Sequence, residues 1–152
     1  MKRVLNIIKW ILLFIWQIPQ NIVALCMLPF MGQITLKCIK RYSWCLICSS
    51  MKYRGSISLG NFVLLGSGSY TTCAHELGHV KDSHLFGPLY LFIIGLPSII
   101  WAGFNIYKKK GVSYYSLYTE SRANKNSHLH DVKFGNYWYL QFDEGYDLNS
   151  IE

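Results

Sequence analysis

An uncharged run of 22 residues, Trp10 to Met31, limits what this chain can become more than any other feature. As one straight helix it would reach about 33 Å, enough to cross the hydrocarbon core of a bilayer. Its middle holds Gln17, Pro19, Gln20 and Asn21. Proline cannot donate a helical hydrogen bond, and buried amides must find partners. Two architectures meet both demands. One is a single kinked transmembrane helix; the other is two short helices, over about 4–17 and 20–36, lying partly in the membrane interface. Trp10 and Trp16 suit interface anchors. No small-x-small site closes the run, which argues against a cleaved signal peptide. Residues 1–36 are expected to anchor the chain to membrane lipid as a helix or hairpin.

The charge distribution agrees with that expectation. Residues 1–75 hold eight Lys or Arg and no acid, whereas residues 76–152 hold seven against eight acids. The basic excess therefore sits beside the apolar run, which favours anionic lipid head groups over nucleic acid as the partner. Lys37, Lys40, Arg41, Lys52 and Arg54 make 37–54 a basic connector. Hydrophobic residues reach 51% and charged ones only 15%, which excludes intrinsic disorder. The 152 residues suit one domain. The five cysteines are odd in number and lie in or near apolar stretches, so a disulfide framework is a poor fit. Cys45 and Cys48 have CxxC spacing without a second such pair, and fit buried thiols better than a zinc site.

From residue 55 the pattern changes. Ser and Gly alternate with Ile, Leu, Phe and Val, which predicts a strand pair, 56–59 and 62–65, turning at Gly60-Asn61. Residues 71–86 read as a helix capped by Thr71 or Thr72 and ended by Gly87-Pro88. Leu89 to Tyr107 is uncharged and ends at Lys108-Lys109-Lys110, a membrane-boundary pattern. Its length suits a second spanning helix, a re-entrant hairpin or a buried core helix. Residues 113–127 read as helix and 132–142 as an aromatic strand, with Tyr137, Trp138 and Tyr139 packing in a core or edge strand. An acidic tail, 143–152, follows. The predicted fold class is α+β, mainly α, with a compact core over 55–142.

The chemistry lies in His75-Glu76-Leu77-Gly78-His79, an HExxH motif. On a helix, residues i and i+4 stand one above the other, so two imidazoles can bind one Zn²⁺ from the same side. Glu76 lies about 100° around the helix, placed to serve as general base rather than ligand. A catalytic zinc needs a third protein ligand. The position six residues after His79 is Leu85, which excludes the metzincin pattern, and His84 lies too far around the helix. Asp82 shares the histidine face a turn further on, as a supporting or solvated group. Glu120 stands out as third ligand: Glu120, Ala123 and Asn124 share one helix face. Ala123 permits close approach, and Asn124 can fix a ligand histidine's tautomer.

HELGH followed by Glu120-x-x-Ala123-Asn124 resembles the gluzincin zinc metallopeptidases, and most nearly the membrane gluzincins of the CaaX-prenyl-protease type. Over about 55–125 the chain also resembles metallopeptidase-like segments of uncharacterised bacterial proteins, some of them Rhs-associated. The resemblance implies a zincin-like core and Zn²⁺ on His75, His79 and Glu120. It also implies Glu76 as general base, a peptide or protein substrate, and residence at a bacterial inner membrane. Asn124 stands where the family usually has Asp, so it brings no negative charge. An edge strand at 56–59 or 62–65 would bind an extended peptide by strand addition. The competing function is a non-catalytic, membrane-anchored binding or accessory protein with the same fold. Unpaired cysteines favour a cytoplasmic active-site face. Oligomeric state is not legible. Among the remaining residues, one of Tyr114, Tyr115 and Tyr118 is an oxyanion-stabilising candidate. Arg122 reads as a partner for a phosphate or an acid, and His128 with His130 as a surface pair of weak metal-like spacing.

Overall fold

Helix α1 (Lys2–Trp16) stops where the polar break begins. A computed structural model describes residues 2–30, 33–39, 43–49, 55–66 and 69–146. Pro19 lies in the first turn of α2 (Ile18–Met27), where a missing N–H costs no hydrogen bond. The two helices meet at 82°. The last carbonyls of α1 accept side-chain amides as well as the Gln17 backbone N–H. Gln17 Nε2 donates to the Leu13 carbonyl at 2.8 Å and Asn21 Nδ2 to the Phe14 carbonyl at 2.9 Å. The second helix is shorter than predicted, ending in a 3₁₀ turn over Leu28–Phe30. Among the described residues no single helix is long and apolar enough to cross a membrane.

Four strands follow or flank this hairpin: β1 (Gln33–Ile39), β2 (Ser43–Ser49), β3 (Ile57–Leu59) and β4 (Phe62–Leu65). They form one sheet in the order β1-β2-β4-β3, with β2 and β4 parallel and the other neighbours antiparallel. The predicted pair appears as β3 and β4. Strands β1 and β2 replace the end of the predicted second helix and much of the expected connector; β-branched Ile34 and Thr35 favour that state. The charged side chains of that connector, and those of Cys45 and Cys48, lie outside the described residues, as do residues 147–152.

Strand β4 is buried on both faces, and successive side chains point opposite ways. Val63 and Leu65 join Ile47, Leu77 and Val80 in one apolar cluster. Phe62 and Leu64 join Ala24 and Leu59 in another, with Phe14, Met27 and Leu28 packed against it. The N-terminal hairpin is thus one layer of a sandwich, covering the sheet face opposite helix α3 (Tyr70–Phe86). Polar contacts fix its docking. Gln20 Nε2 donates to Ser83 Oγ at 3.1 Å and to the Gly87 carbonyl at 2.7 Å. The Asn61 amide donates to Asn21 Oδ1 at 3.1 Å. Trp16 packs on Gly87, where a Cβ would lie 2.1 Å from the indole ring. Gln20→Ala therefore strands two buried acceptors and should cost about 1–3 kcal/mol in denaturant unfolding; an unchanged midpoint would mean that the hairpin is not part of the cooperative unit.

Ser69, not Thr71 or Thr72, holds the N-cap position of α3; its backbone is extended, and its hydroxyl meets that of Thr71 at 2.8 Å. Beyond α3 the segment from residue 89 is no continuous helix. After a 3₁₀ turn over Gly87–Leu89 comes a π turn over Leu91–Gly95, then α4 (Leu96–Gly103) and α5 (Ile106–Lys110). Tyr70–Leu89 and Leu91–Gly103 bend by 118°. Tyr90, Ile94 and Trp101 point inward, while Phe92, Leu96, Ile99 and Phe104 are exposed. A 3₁₀ turn over Tyr114–Ser116 leads to α6 (Tyr118–Asn126), the two parts of the helix predicted over 113–127. The predicted aromatic strand is a hairpin, β5 (Leu129–Phe134) and β6 (Tyr137–Phe142), because Gly135-Asn136 makes a two-residue turn. Tyr137, Trp138 and Tyr139 are exposed on it rather than packed in a core. The whole is α+β and mainly helical.

Candidate metal centre

Helix α3 places His75 and His79 one turn apart, with ring centroids 4.9 Å from each other and planes at 88°. Helix α6 brings Glu120 to both. Its Oε2 lies 3.0 Å from His75 Nε2 and 3.5 Å from His79 Nε2. All three side chains are buried, and their ligating atoms lie within 4.8 Å of one another. Two imidazoles and one carboxylate converging in a buried place form a donor set that fits a divalent metal ion. Asn124 Oδ1 accepts a hydrogen bond from His75 Nδ1 at 2.7 Å, which leaves Nε2 directed at the centre.

The electrostatics follow from this crowding. Burial alone would raise the Glu120 pKa, but hydrogen bonds from His75 and His79 and their charge outweigh it and hold the carboxyl well below its usual range. Burial works against charging His75, yet Glu120, Glu76 and Asn124 together push its pKa up. Glu76 is raised mainly by burial, with the two histidines pulling back and Glu120 adding to the rise. Among the described residues Glu76 Oε2 has no hydrogen-bond partner.

The joint between α3 and α6 sets these distances. Gly78 meets the Ala123 backbone, and Asn126 Nδ2 donates to the Gly78 carbonyl at 3.0 Å. The Ser127 hydroxyl donates to the Ala74 carbonyl. Arg122 pairs with Asp82 at 2.8 Å, and Asn126 adds a bond to the same carboxylate at 3.0 Å. Asp82 is therefore neither solvated nor a support for the histidines: it is a buried half of an interhelix clasp.

Glu76, His79 and Glu120 face a cavity of about 380 Å³ whose walls are mostly apolar. One wall is β3; the opposite wall runs from Tyr90 to Ala102. Strand β3, not β4, is an edge of the sheet. The Tyr90 hydroxyl donates to the Ser58 carbonyl at 3.0 Å, so an added strand would find the middle of that edge already capped. Tyr114 also lines the cavity; burial and the charges of Glu120 and Glu76 push its pKa up. Tyr115 stands edge-on to His75 at 5.4 Å, its hydroxyl pushed up to about 12 by burial and then by the same carboxylates. Tyr118 instead donates to the Ile93 carbonyl.

No family model, no curated protein and no solved structure matches this chain. The chemistry of the centre is read from its own donors and their surroundings.

The structure brings His75, Glu76, His79, Glu120 and Asn124 together. It keeps His84 apart: Nε2 donates to Asn61 Oδ1 at 3.2 Å, and burial with the nearby Lys9 charge lowers its pKa to about 4. His128 and His130 flank Asp143 at the surface, 4.0 and 3.0 Å from its carboxylate. Sequence reasoning missed Tyr90 and the chain from Ser98 through Thr119 to Glu120, with hydroxyls 2.8 Å apart and Thr119 3.5 Å from Glu120 Oε1. No spacing rule links Ser98 to α6; only the bend after α3 makes them neighbours.

Proposed function

We propose that the chain is a membrane-associated zinc metallopeptidase of gluzincin type. One observation carries the reading: an acid from a separate helix converges on the HExxH histidines while Glu76, at the cavity wall, keeps its Oε2 without a partner among the described residues. His75, His79 and Glu120 would hold the zinc. When bound, such an ion polarises a carbonyl and activates water at neutral pH.

This chain's residues supply the rest. Glu76, its pKa raised mainly by burial, takes the proton of the attacking water and delivers it to the leaving amine. Tyr114 sits on the same wall with its proton held firmly, placed to donate to a developing oxyanion. Ile57, Leu59, Ile94 and Ile99 offer an apolar surface to a substrate side chain. Membrane association rests on the exposed apolar faces of α1 and of the 89–104 segment, flanked by Lys9 and by Lys108 to Lys110. Detergent-purified protein should hydrolyse an apolar peptide substrate, lose that activity to a chelator and regain it with zinc. Chelator-resistant hydrolysis, or none from zinc-loaded protein across a diverse peptide library, would remove this reading.

A further inference from the structure

A second groove, about 570 Å³, adjoins the first. It runs between the end of α5 and the tip of the β5–β6 hairpin, and Tyr114 lines both. Its lining differs in kind. Lys108 and Lys133 face it together with Asn136, and Tyr137 and Trp138 form part of its wall. Among the described residues no acid lines it. Lys133 Nζ lies 5.6 Å from the centre of the Trp138 ring and Lys108 Nζ 5.7 Å from that of Tyr107, so aromatic faces hold both ammonium groups close to the groove. Among the described residues neither ammonium is paired with a carboxylate. Tyr137 and Trp138 of β6 and Lys108 of the lysine run, which the metal centre leaves unused, meet in this one place.

We infer that this groove binds an anionic group of the substrate, a carboxylate on the peptide, while the apolar cavity holds a hydrophobic side chain across the metal centre. Resting on the peptidase reading, this narrows the substrate class to peptides carrying an apolar residue on one side of the reacting bond and a carboxylate on the other. Two unpaired ammonium groups, an amide donor and no competing acid recognise carboxylate oxygens. Tyr114 as a common wall makes the two compartments parts of one cleft. A lipid phosphate would meet the same lysines, but an open membrane surface requires no groove walled by Tyr114, which also lines the apolar cavity, and by Tyr115, which stands against the His75 ring.

The test uses Glu76→Gln protein in detergent, so that binding is read without turnover. Dansyl-Leu-Leu-Glu-Glu and its Gln-Gln isostere, both C-terminally amidated, are compared by fluorescence anisotropy. The acidic peptide should bind at least about tenfold more tightly at low salt, and the ratio should fall to near one when Lys108 and Lys133 are both changed to Gln. Equal binding of the two peptides overturns the inference, as does a ratio that survives the double substitution. Weaker binding of the double variant to phosphatidylglycerol vesicles with an unchanged peptide ratio assigns the lysines to the membrane and also overturns it. The peptidase reading fails separately: selective binding without hydrolysis by wild type removes catalysis and leaves the carboxylate groove. Hydrolysis without selectivity does the reverse.

Discussion

Replacing Glu76 with Gln is expected to lower the turnover number by about 10²–10⁴-fold while leaving bound metal at the wild-type level. The geometry explains both halves. Glu76 is no part of the group of converging ligand atoms, yet it borders the same cavity as His79 and Glu120. Glutamine keeps the shape and removes the proton acceptor. Stability should hold or rise. In the metal-free protein the folded state retains the Glu76 proton more tightly than the unfolded chain, so ionising the carboxylate at neutral pH costs folding free energy, and an amide carries no such cost. Comparing kcat, bound metal and unfolding midpoint in the two proteins checks all three. Undiminished turnover would remove Glu76 from the mechanism; lost metal would instead make it a ligand.

The second large effect is structural. Gly78→Ala adds one methyl group between the two helices that build the centre. Its Cβ would lie 2.1 Å from the Ala123 carbonyl oxygen and 2.8 Å from Ser127 Oγ. The oxygen belongs to backbone inside α6 and cannot swing aside. The helices must separate, which weakens the Asn126 bond to the Gly78 carbonyl and carries Glu120 away from the histidines. Overpacking of this kind costs about 1–3 kcal/mol or more. Alanine's better helix propensity returns about 1 kcal/mol at most. The expected result is a lower unfolding midpoint together with weaker metal binding. Gly95→Ala is the control, because its nearest neighbour would be 3.8 Å away. A Gly78→Ala protein with wild-type stability and metal affinity would contradict the close packing of α3 and α6.

Much of this centre was legible from sequence because helical spacing is a local rule. It places His75 and His79 together, sets Glu76 beside them, and groups Glu120 with Ala123 and Asn124. The strand pair was legible for the same reason: alternation and a Gly60-Asn61 turn are short-range signals. What escaped depends on tertiary contact. The apolar run over 10–31 reads as an anchor, yet Phe14 and Ala24 pack against the sheet and Gln20 bonds to the far end of α3. Hydropathy does not distinguish a face turned to lipid from one turned to Phe62. Strands β1 and β2 stood against an apolar and basic background that hides a period of two. Asp82 looked solvated because its partner Arg122 is 40 residues away. The three tyrosines before Glu120 were equivalent in sequence; the bend after α3 gives Tyr114 the cavity, Tyr115 the His75 ring and Tyr118 a carbonyl.

Elemental analysis of detergent-purified protein, wild type beside Glu120→Ala, tests the central claim most directly. About one zinc per chain in wild type, and little or none in the variant at equal folded content, is the expected result for a three-ligand centre. Wild-type protein without zinc after supplementation at neutral pH would reduce HELGH to a buried helix with two ordinary histidines. Full zinc in Glu120→Ala would place the third ligand elsewhere.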